Sequence, residues 1–184
     1  AGILIGLCLL AGYAFQTLGL QYTSASKAGF ITGLSVVLVP VLATLLLRQL
    51  PGIESIICVC LATIGLAFLT LNQSLSLAHG DLLVLLCAFS FALHIVAVRH
   101  FAPKLDPLAL TIVQVATVSV VSGAISLFAA RPWPAPSPSI WFAAAFTGIL
   151  ATAVAFALQT GMQRFTTPTH TALIFAGEPV FAAI

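Results

Sequence analysis

One carboxylate, Glu178, lies inside an apolar segment near the end of the sequence, LIFAGEPVFA. Glutamate is seldom buried alone, and an acidic side chain at the centre of a membrane helix costs about 2.5–3.5 kcal/mol on insertion scales. Its position therefore indicates a proton-exchange or cation-binding group, or else a structural hydrogen bond to a neighbouring helix. Pro179 follows directly and frees a carbonyl one turn earlier. Because such breaks are tolerated where they line a cavity, this pair is predicted to face one.

Other polar side chains in long apolar runs are candidates for the same cavity. Histidine changes charge near physiological pH or contacts a substrate, which makes His94 a candidate. Gln16 and Gln159 belong to a repeated motif, and amides of this kind either bind a substrate or join helices. Each residue also has a structural interpretation, in which a neighbouring helix satisfies the ring of His94 and the glutamines, Gln114 included, are helix contacts. The sequence leaves both interpretations open.

Motifs for other chemistries are absent from the sequence. It contains no HExxH, GxSxG, P-loop or GxGxxG pattern. Cys58 and Cys60 have the wrong spacing for the usual zinc pairs, and all four cysteines lie in apolar runs, where they are expected to act as small hydrophobic residues. The sequence therefore predicts no metal site and no cofactor.

The composition indicates whether the surface of this protein faces water or lipid. The residues are 61% hydrophobic and 5% charged, with a mean hydropathy of +1.19. Soluble domains average about 25% charged residues, so there are too few charges here to coat a globule in water. The net charge of +2 is scattered and gives no indication of nucleic-acid binding. The composition predicts an integral membrane protein in contact with a lipid bilayer.

Uncharged apolar runs divide the sequence into spans. A bilayer-spanning helix needs about 17–25 residues, and the complete runs cover 2–20, 28–47, 55–71, 82–98, 108–130 and 140–160, with a seventh beginning near 171. Continuous runs of this length favour helices over barrel strands, so the fold is predicted to be an all-α bundle of seven transmembrane helices. Two GxxxG patterns, Gly2/Gly6 and Gly29/Gly33, predict close helix packing. A chain that begins and ends inside apolar runs is expected to be part of a longer protein.

The distribution of positive charge predicts the orientation of the bundle. The cations after the second, fourth and sixth runs are Arg48, Arg99, Lys104 and Arg164, whereas the cations after the other complete runs are Lys27 and Arg131. The positive-inside rule therefore puts the first set on the cytoplasmic side. Lys27 begins the second run and is expected to extend its ammonium group to the membrane interface.

An internal repeat is visible in two connections. Residues 16–24 are QTLGLQYTS and residues 159–167 are QTGMQRFTT, and each copy leads into an apolar run with a Pro-Val, at Pro40 and Pro179. Both prolines are expected to kink or break their helices. The first and sixth runs are thus equivalent, as are the second and seventh. Because five runs separate the equivalents, the two halves must be inverted, which is the signature of secondary transporters.

Three longer segments resemble a known family. GYAFQTLGLQYTSASKAGFITGLSVVLVPVLATLLL resembles the third and fourth helices of EamA-type permeases of the drug/metabolite transporter superfamily. GDLLVLLCAFSFALHIVAVRHFA is similar to the sixth helix, and FALQTGMQRFTTPTHTALIFAGEPVFAAI to the eighth and ninth. The resemblance implies a ten-helix protein of two inverted five-helix repeats, of which 1–76 would be the C-terminal part of the first and 77–184 most of the second.

The resemblance also implies a function. The family moves small metabolites or drugs, usually outward across the bacterial inner membrane, through a central cavity, which predicts a secondary exporter working by alternating access. Glu178 and Pro179 match the family's Glu-Pro pair, while Val39 stands before Pro40 where the other half would repeat the acid. Coupling to protons stays open, as does oligomeric state. The alternatives are an intramembrane enzyme using Glu178 with His94 or His170, and a structural or assembly protein without a cavity.

Overall fold

The computed structural model describes residues 1–70, 79–129 and 137–177, and the regular secondary structure in these ranges is helical. The helices are α1 (Gly2–Gly19), α2 (Ala25–Gly33), α3 (Ser35–Leu47), α4 (Ile53–Thr70), α5 (His79–Phe101), α6 (Pro107–Ala129), α7 (Pro138–Phe146), α8 (Ala155–Gln163) and α9 (Pro168–Phe175). A π-helical stretch, Thr147–Val154, joins α7 to α8.

Within the described ranges, five spans are long and apolar enough to cross a membrane. They are Gly2–Gly19, Ala25–Leu47, His79–Phe101, Pro107–Phe128 and Pro138–Gln163. These spans coincide with five of the six complete runs in the sequence, which confirms the prediction of an all-α membrane protein. The remaining complete run forms α4, with a shorter apolar helix at Ile53–Gly65. The seventh run begins in α9.

The second span is interrupted at Leu34, between α2 and α3. The N–H of Leu34 is shared between the carbonyls of Phe30 and Ile31, each at 3.1 Å, which tightens the last turn of α2. Pro40 lies inside α3, buried, roughly 9 Å further along the axis. The interruption of the helix therefore lies upstream of Pro40, and the kink expected at Pro40 itself stays a prediction. Pro179, the other predicted break, lies outside the described residues.

Helix α1 packs closely on α5 and α6. A Cβ added at Gly2 would lie 2.6 Å from the Val113 side chain of α6, and a Cβ at Gly6 would lie 2.8 Å from the Gln114 carbonyl. The close packing predicted from the first GxxxG pattern is therefore confirmed. At Gly29 an added Cβ would meet nothing within 4 Å, so the second pattern does not mark such a contact at that position.

Antiparallel neighbours give the bundle two distinct ends. At one end Arg99, in the last turn of α5, donates to the carbonyl of Arg164 after α8, and Arg99 and Lys104 share a cavity with Gln49 after α3. At the other end Lys27 of α2 meets the start of α5. We call these the cationic end and the Lys27 end. The cations assigned to the cytoplasmic side by sequence thus lie together.

Two apolar clusters fill the contacts between the helices. Val39 of α3, Val96 of α5 and Ala172 of α9 belong to one cluster, while Ile5 of α1 and Val98 of α5 belong to the other. Large apolar side chains elsewhere point outward, as expected for a protein surrounded by hydrocarbon. Polar groups inside this apolar bundle therefore need partners within the protein.

Candidate functional site: a polar layer between three helices

A hydrogen-bonded chain joins α5, α6 and α8 inside the bundle. His94 Nε2 lies 2.9 Å from Gln114 Oε1, and Gln114 Nε2 donates to Thr160 Oγ1 at 3.1 Å. His94 is 2% exposed, and Gln114 and Thr160 are fully buried. Because the amide nitrogen of Gln114 donates to Thr160, its oxygen accepts, and the hydrogen of the His94 ring lies on Nε2. Each of the three helices contributes one side chain to this chain of contacts.

A second pair of amides extends the contact between α8 and α5. Gln163 Nε2 donates to the carbonyl of Ile95, the residue after His94, and Gln159 Nε2 donates to Gln163 Oε1 at 3.3 Å. Gln163 is 1% exposed. A carbonyl inside a helix already accepts one bond from its own ladder and offers a second lone pair, which Gln163 uses. We call His94, Gln114, Thr160, Gln163 and Gln159 together the polar layer.

Helical spacing explains why α8 presents these groups together. Gln159 and Gln163 are four residues apart and Thr160 and Gln163 are three apart, so all three lie near one face of α8. Phe156, four residues before Thr160, is on the same side, and its ring meets His94 edge-on with centroids 5.6 Å apart. The aromatic ring covers the imidazole with apolar surface. A low-dielectric setting of this kind strengthens satisfied hydrogen bonds and makes broken ones costly.

The structure brings together some of the residues predicted from sequence and separates others. His94 and Gln159 both belong to the polar layer. Gln16 is half-buried in the last turns of α1, at the level of Cys87 on α5, roughly 10 Å along the axis from His94. Glu178 lies outside the described residues. In this arrangement the ring of His94 is satisfied by a helix neighbour.

Two residues that were not predicted from the sequence, Thr160 and Gln163, complete the layer. Thr160 has a small hydroxyl side chain and Gln163 an uncharged amide, and both lie in the last turns of an apolar span. Neither carries a charge that would mark it as a candidate. A signal was present in the sequence, because Gln159 and Gln163 are two amides at a spacing of four residues on one helix. Amides that face one direction in an apolar span indicate a helix contact.

A separate ionic cluster lies at the Lys27 end. Lys27 Nζ is 2.8 Å from Asp81 Oδ2, and Thr23 Oγ1 donates to Asp81 Oδ1 at 2.6 Å. Asp81, in the first turn of α5, is 6% exposed. Lys27 therefore forms an ion pair with the start of α5, a contact that was not predicted from the sequence. The topology would have predicted this pair, because α2 and α5 both begin at this end and their first turns carry opposite charges.

These arrangements define what the site does chemically. The polar layer consists of neutral groups, and within the described ranges no buried side-chain nitrogen or oxygen lacks a partner. The described residues also contain no cluster of three or more histidine, cysteine or acidic side chains able to hold a metal ion. The layer therefore holds three helices in register, and any change of helix packing there must exchange hydrogen bonds.

Apolar spans that alternate in direction around buried polar contacts define a multi-pass helical membrane protein. The model of the EamA-like transporter family matches residues 1–71 and 78–184, and the chain belongs to this family. A relative from Archaeoglobus fulgidus, described as an uncharacterized transporter, is 32% identical over 181 residues, which are 98% of this chain and 58% of the relative.

A solved structure supports the fold independently. It is described only as the crystal structure of a protein, is 19% identical to this chain and superposes with a TM-score of 0.79 over 97% of this chain and 63% of its own. At this identity the likeness concerns the fold alone. The chain thus spans about three fifths of the length of these two proteins.

Proposed function

We propose that this protein is a secondary transporter that exports small metabolites or drugs across the cytoplasmic membrane by alternating access. Membership of the EamA-like family and the transporter description of the archaeal relative support transport as the class of activity. Export, the kind of solute and the mechanism are the parts that this proposal adds. The cytoplasmic side is the cationic end, as the positive-inside rule requires.

The observation that carries the mechanism is a connection that occurs twice in opposite directions. The side chain of Ser24 caps α2 by accepting from the Lys27 N–H, and the side chain of Thr167 caps α9 by accepting from the His170 N–H. Ser24 and Thr167 are at equivalent positions of the repeated sequence. The first connection lies at the Lys27 end, and the second follows Arg164 at the cationic end. Two inverted halves, 1–76 and 77–184, follow from this proposal.

Inverted halves place a substrate site near the membrane midplane, between them. The polar layer belongs to the second half and fixes α8, which carries Gln159. By the repeat, α1 of the first half carries the equivalent Gln16. We assign Gln16, Gln159 and His94 to the wall of the substrate pathway, with His94 acting through the helix contact it makes. Glu178 is assigned to proton exchange or to a cationic group of the substrate, on the sequence argument.

Flux through reconstituted protein tests this function. Full-length protein in liposomes is loaded with a panel of metabolites and drugs, and release down an imposed gradient is compared with protein-free liposomes. We expect at least one solute to be released faster with the protein. Glu178→Gln should slow that release at least tenfold, while Glu54→Gln, which neutralises an exposed acid in the first turn of α4, should leave it unchanged.

The same experiment separates transport from its alternatives. A structural or assembly protein predicts release no faster than from protein-free liposomes across the whole panel, with Glu178→Gln lowering only the unfolding temperature. An intramembrane enzyme predicts that a substrate is converted chemically without a change of compartment, which mass analysis of the released and retained solutes detects. Either result would contradict the proposal.

A further inference from the structure

A cavity at the cationic end lies outside the polar layer and has no part in the proposed transport mechanism. It measures about 300 Å³ and is formed where the end of α3 meets the end of α5 and the connection that follows it. The lining residues are Leu46, Leu47, Gln49, Arg99, His100, Pro103 and Lys104. The cavity thus combines an apolar wall from α3 with a basic wall from α5.

The basic wall carries donors that are not consumed by protein contacts. Arg99 uses Nη1 to bind the carbonyl of Arg164, which leaves most of the five guanidinium N–H donors for another acceptor. Lys104 Nζ lies 3.2 Å from His100 Nε2 and has three N–H donors in total. No carboxylate lines the cavity. The nearest acid in sequence, Asp106, accepts from the first backbone N–H groups of α6.

The positive charge of the basic wall exceeds what the negative ends of the helix dipoles can neutralise. The C-terminal ends of α3 and α5 each carry a partial charge of about −0.5. Arg99 and Lys104 together bring two full positive charges to these two helix ends. A positive excess therefore remains at the cavity, and it favours an anion. The membrane interface strengthens the attraction between these cations and an anion, because the interface is less polar than bulk water.

The apolar wall continues onto a surface of exposed apolar side chains. Leu45 is 70% exposed and Leu46 59%, and beyond the end of α3 Leu50 is 83% and Ile53 76% exposed. In a bilayer these side chains lie beside acyl chains at the cytoplasmic boundary of the hydrocarbon. A molecule that fills the cavity from the membrane therefore needs an anionic group for Arg99 and an apolar tail for these side chains.

We propose that this cavity binds the phosphate of an anionic phospholipid from the cytoplasmic leaflet. Arg99 and Lys104 hold the phosphate oxygens by charge-assisted hydrogen bonds, His100 and Gln49 border the rest of the headgroup, and the acyl chains extend along the exposed leucines. A zwitterionic lipid offers the same phosphate, but its ammonium group meets no carboxylate in the lining. Basic pockets between transmembrane helices are known to select anionic headgroups in this way.

Binding is measured on the full-length protein in a neutral detergent without any transport substrate. Short-chain phosphatidylglycerol is titrated in, and binding is followed by the rise in unfolding temperature; phosphatidylcholine of the same chain length, glycerol phosphate and inorganic phosphate are titrated in parallel. We expect phosphatidylglycerol to raise the unfolding temperature at low concentration and the other three compounds to leave it unchanged. Lys104→Gln should weaken it about fivefold, and the additional change Arg99→Gln should weaken it about fivefold again.

Arg164→Gln is the matched control, because it removes one positive charge at the same end but Arg164 does not line the cavity. Its affinity for phosphatidylglycerol should equal that of the wild type. Lys104 is exposed, so Lys104→Gln should fold even if the double variant does not. Unchanged binding by Lys104→Gln, or equal binding of phosphatidylcholine, would overturn the proposal. Equal binding of inorganic phosphate would assign the cavity to a free anion and overturn the lipid assignment.

Discussion

At the scale of single residues, the polar layer shows how an apolar bundle fixes the direction in which three helices face each other. Gln114 lies at its centre, since its oxygen and its nitrogen serve two different helices. A buried amide with two assigned partners has a single satisfied position, because a shift of either helix leaves a polar group without its hydrogen bond. The layer therefore contributes specificity of packing as well as stability.

A double-mutant cycle on His94 and Gln114 tests the coupling within this layer. Gln114→Leu leaves the His94 ring and the Thr160 hydroxyl without partners in a dry contact, which should cost about 1–3 kcal/mol of unfolding free energy. The coupling between His94→Leu and Gln114→Leu should be about 0.6–1.7 kcal/mol. The measurement is unfolding of the full-length protein by a denaturing detergent. Ser119→Ala, at an exposed position of α6, is the control and should stay within about 0.5 kcal/mol; additive effects of the two changes would contradict the assigned bond.

The ion pair at the Lys27 end makes a different prediction, because it involves charge. Removing one partner of a buried pair costs about 3–5 kcal/mol, and Lys27, with a side chain 21% exposed, retains some water, which lowers the expected loss to about 1–3 kcal/mol. Asp81→Asn should therefore destabilise the protein by that amount. The double change Lys27→Met with Asp81→Asn should destabilise it less than Asp81→Asn alone, since the positive charge is then removed together with the negative charge that it faces. A double variant less stable than both single variants would contradict this account.

The contrast between His94 and its partners shows what single-sequence reasoning achieves at this scale. A histidine inside an apolar run is conspicuous, so it was selected as a candidate, as was Gln159. Gln114, the partner of His94, is 20 residues away in the sequence, and Gln163 donates to the carbonyl of Ile95, which is 68 residues away. Such pairings depend on which helices are neighbours and on their rotation. Composition and periodicity contain neither quantity, so the layer itself was not predictable.

At the scale of elements, close packing of α1 explains its glycines. An added Cβ at Gly6 would approach the backbone of α6, whereas an added Cβ at Gly19 would approach Val84 of α5 at 2.6 Å. Helix α1 is therefore held on two sides. The last span differs, because α7 and the π-helical stretch contain no buried residue and the span is anchored through α8. Among the described residues, the polar layer is thus the main attachment of this span to its neighbours.

Substitution of the α1 glycines tests this packing. In Gly6→Ala the new Cβ would lie 2.8 Å from the Gln114 carbonyl and 2.7 Å from the Thr117 Cβ, so α1 and α6 must move apart. Overpacking of this kind costs about 1–3 kcal/mol. Gly123→Ala on α6 is the matched control, since nothing lies within 4 Å of its added Cβ, and it should be neutral or stabilising by up to about 1 kcal/mol. Detergent unfolding measures both; equal stability of the two variants would contradict close contact at Gly6.

At the scale of the whole molecule, the bilayer made the fold predictable. Hydrocarbon requires apolar spans of about 20 residues with satisfied backbones, so spans and connections appear directly in the sequence. Helix ends were less accurate, because the run 82–98 lies within the longer helix His79–Phe101, whose outer turns are polar. The interruption at Leu34 was missed, because Gly33 was interpreted as part of a GxxxG packing pattern and not as the end of a helix.

The proposed mechanism makes a final prediction about the two ends of the bundle. In alternating access the inverted halves separate at one end while they close at the other. The contacts of Asp81 with Thr23 and Lys27 join the proposed halves 1–76 and 77–184 at the Lys27 end. A covalent bond there would prevent opening toward that side. A transporter would then be arrested in one half of its cycle.

The test replaces Thr23 and Asp81 by cysteine in a full-length background free of other cysteines, and joins them with a short thiol cross-linker. Thr23 Oγ1 and Asp81 Oδ1 are 2.6 Å apart, so the introduced thiols lie within reach of each other. With the solute identified by the flux screen, cross-linking should reduce release to the level of protein-free liposomes, and reduction should restore it. The single variants Thr23→Cys and Asp81→Cys, treated identically, control for loss of the ion pair and for thiol modification. Undiminished release from fully cross-linked protein would show that this end stays closed throughout the cycle, and alternating access between these two halves would then be wrong.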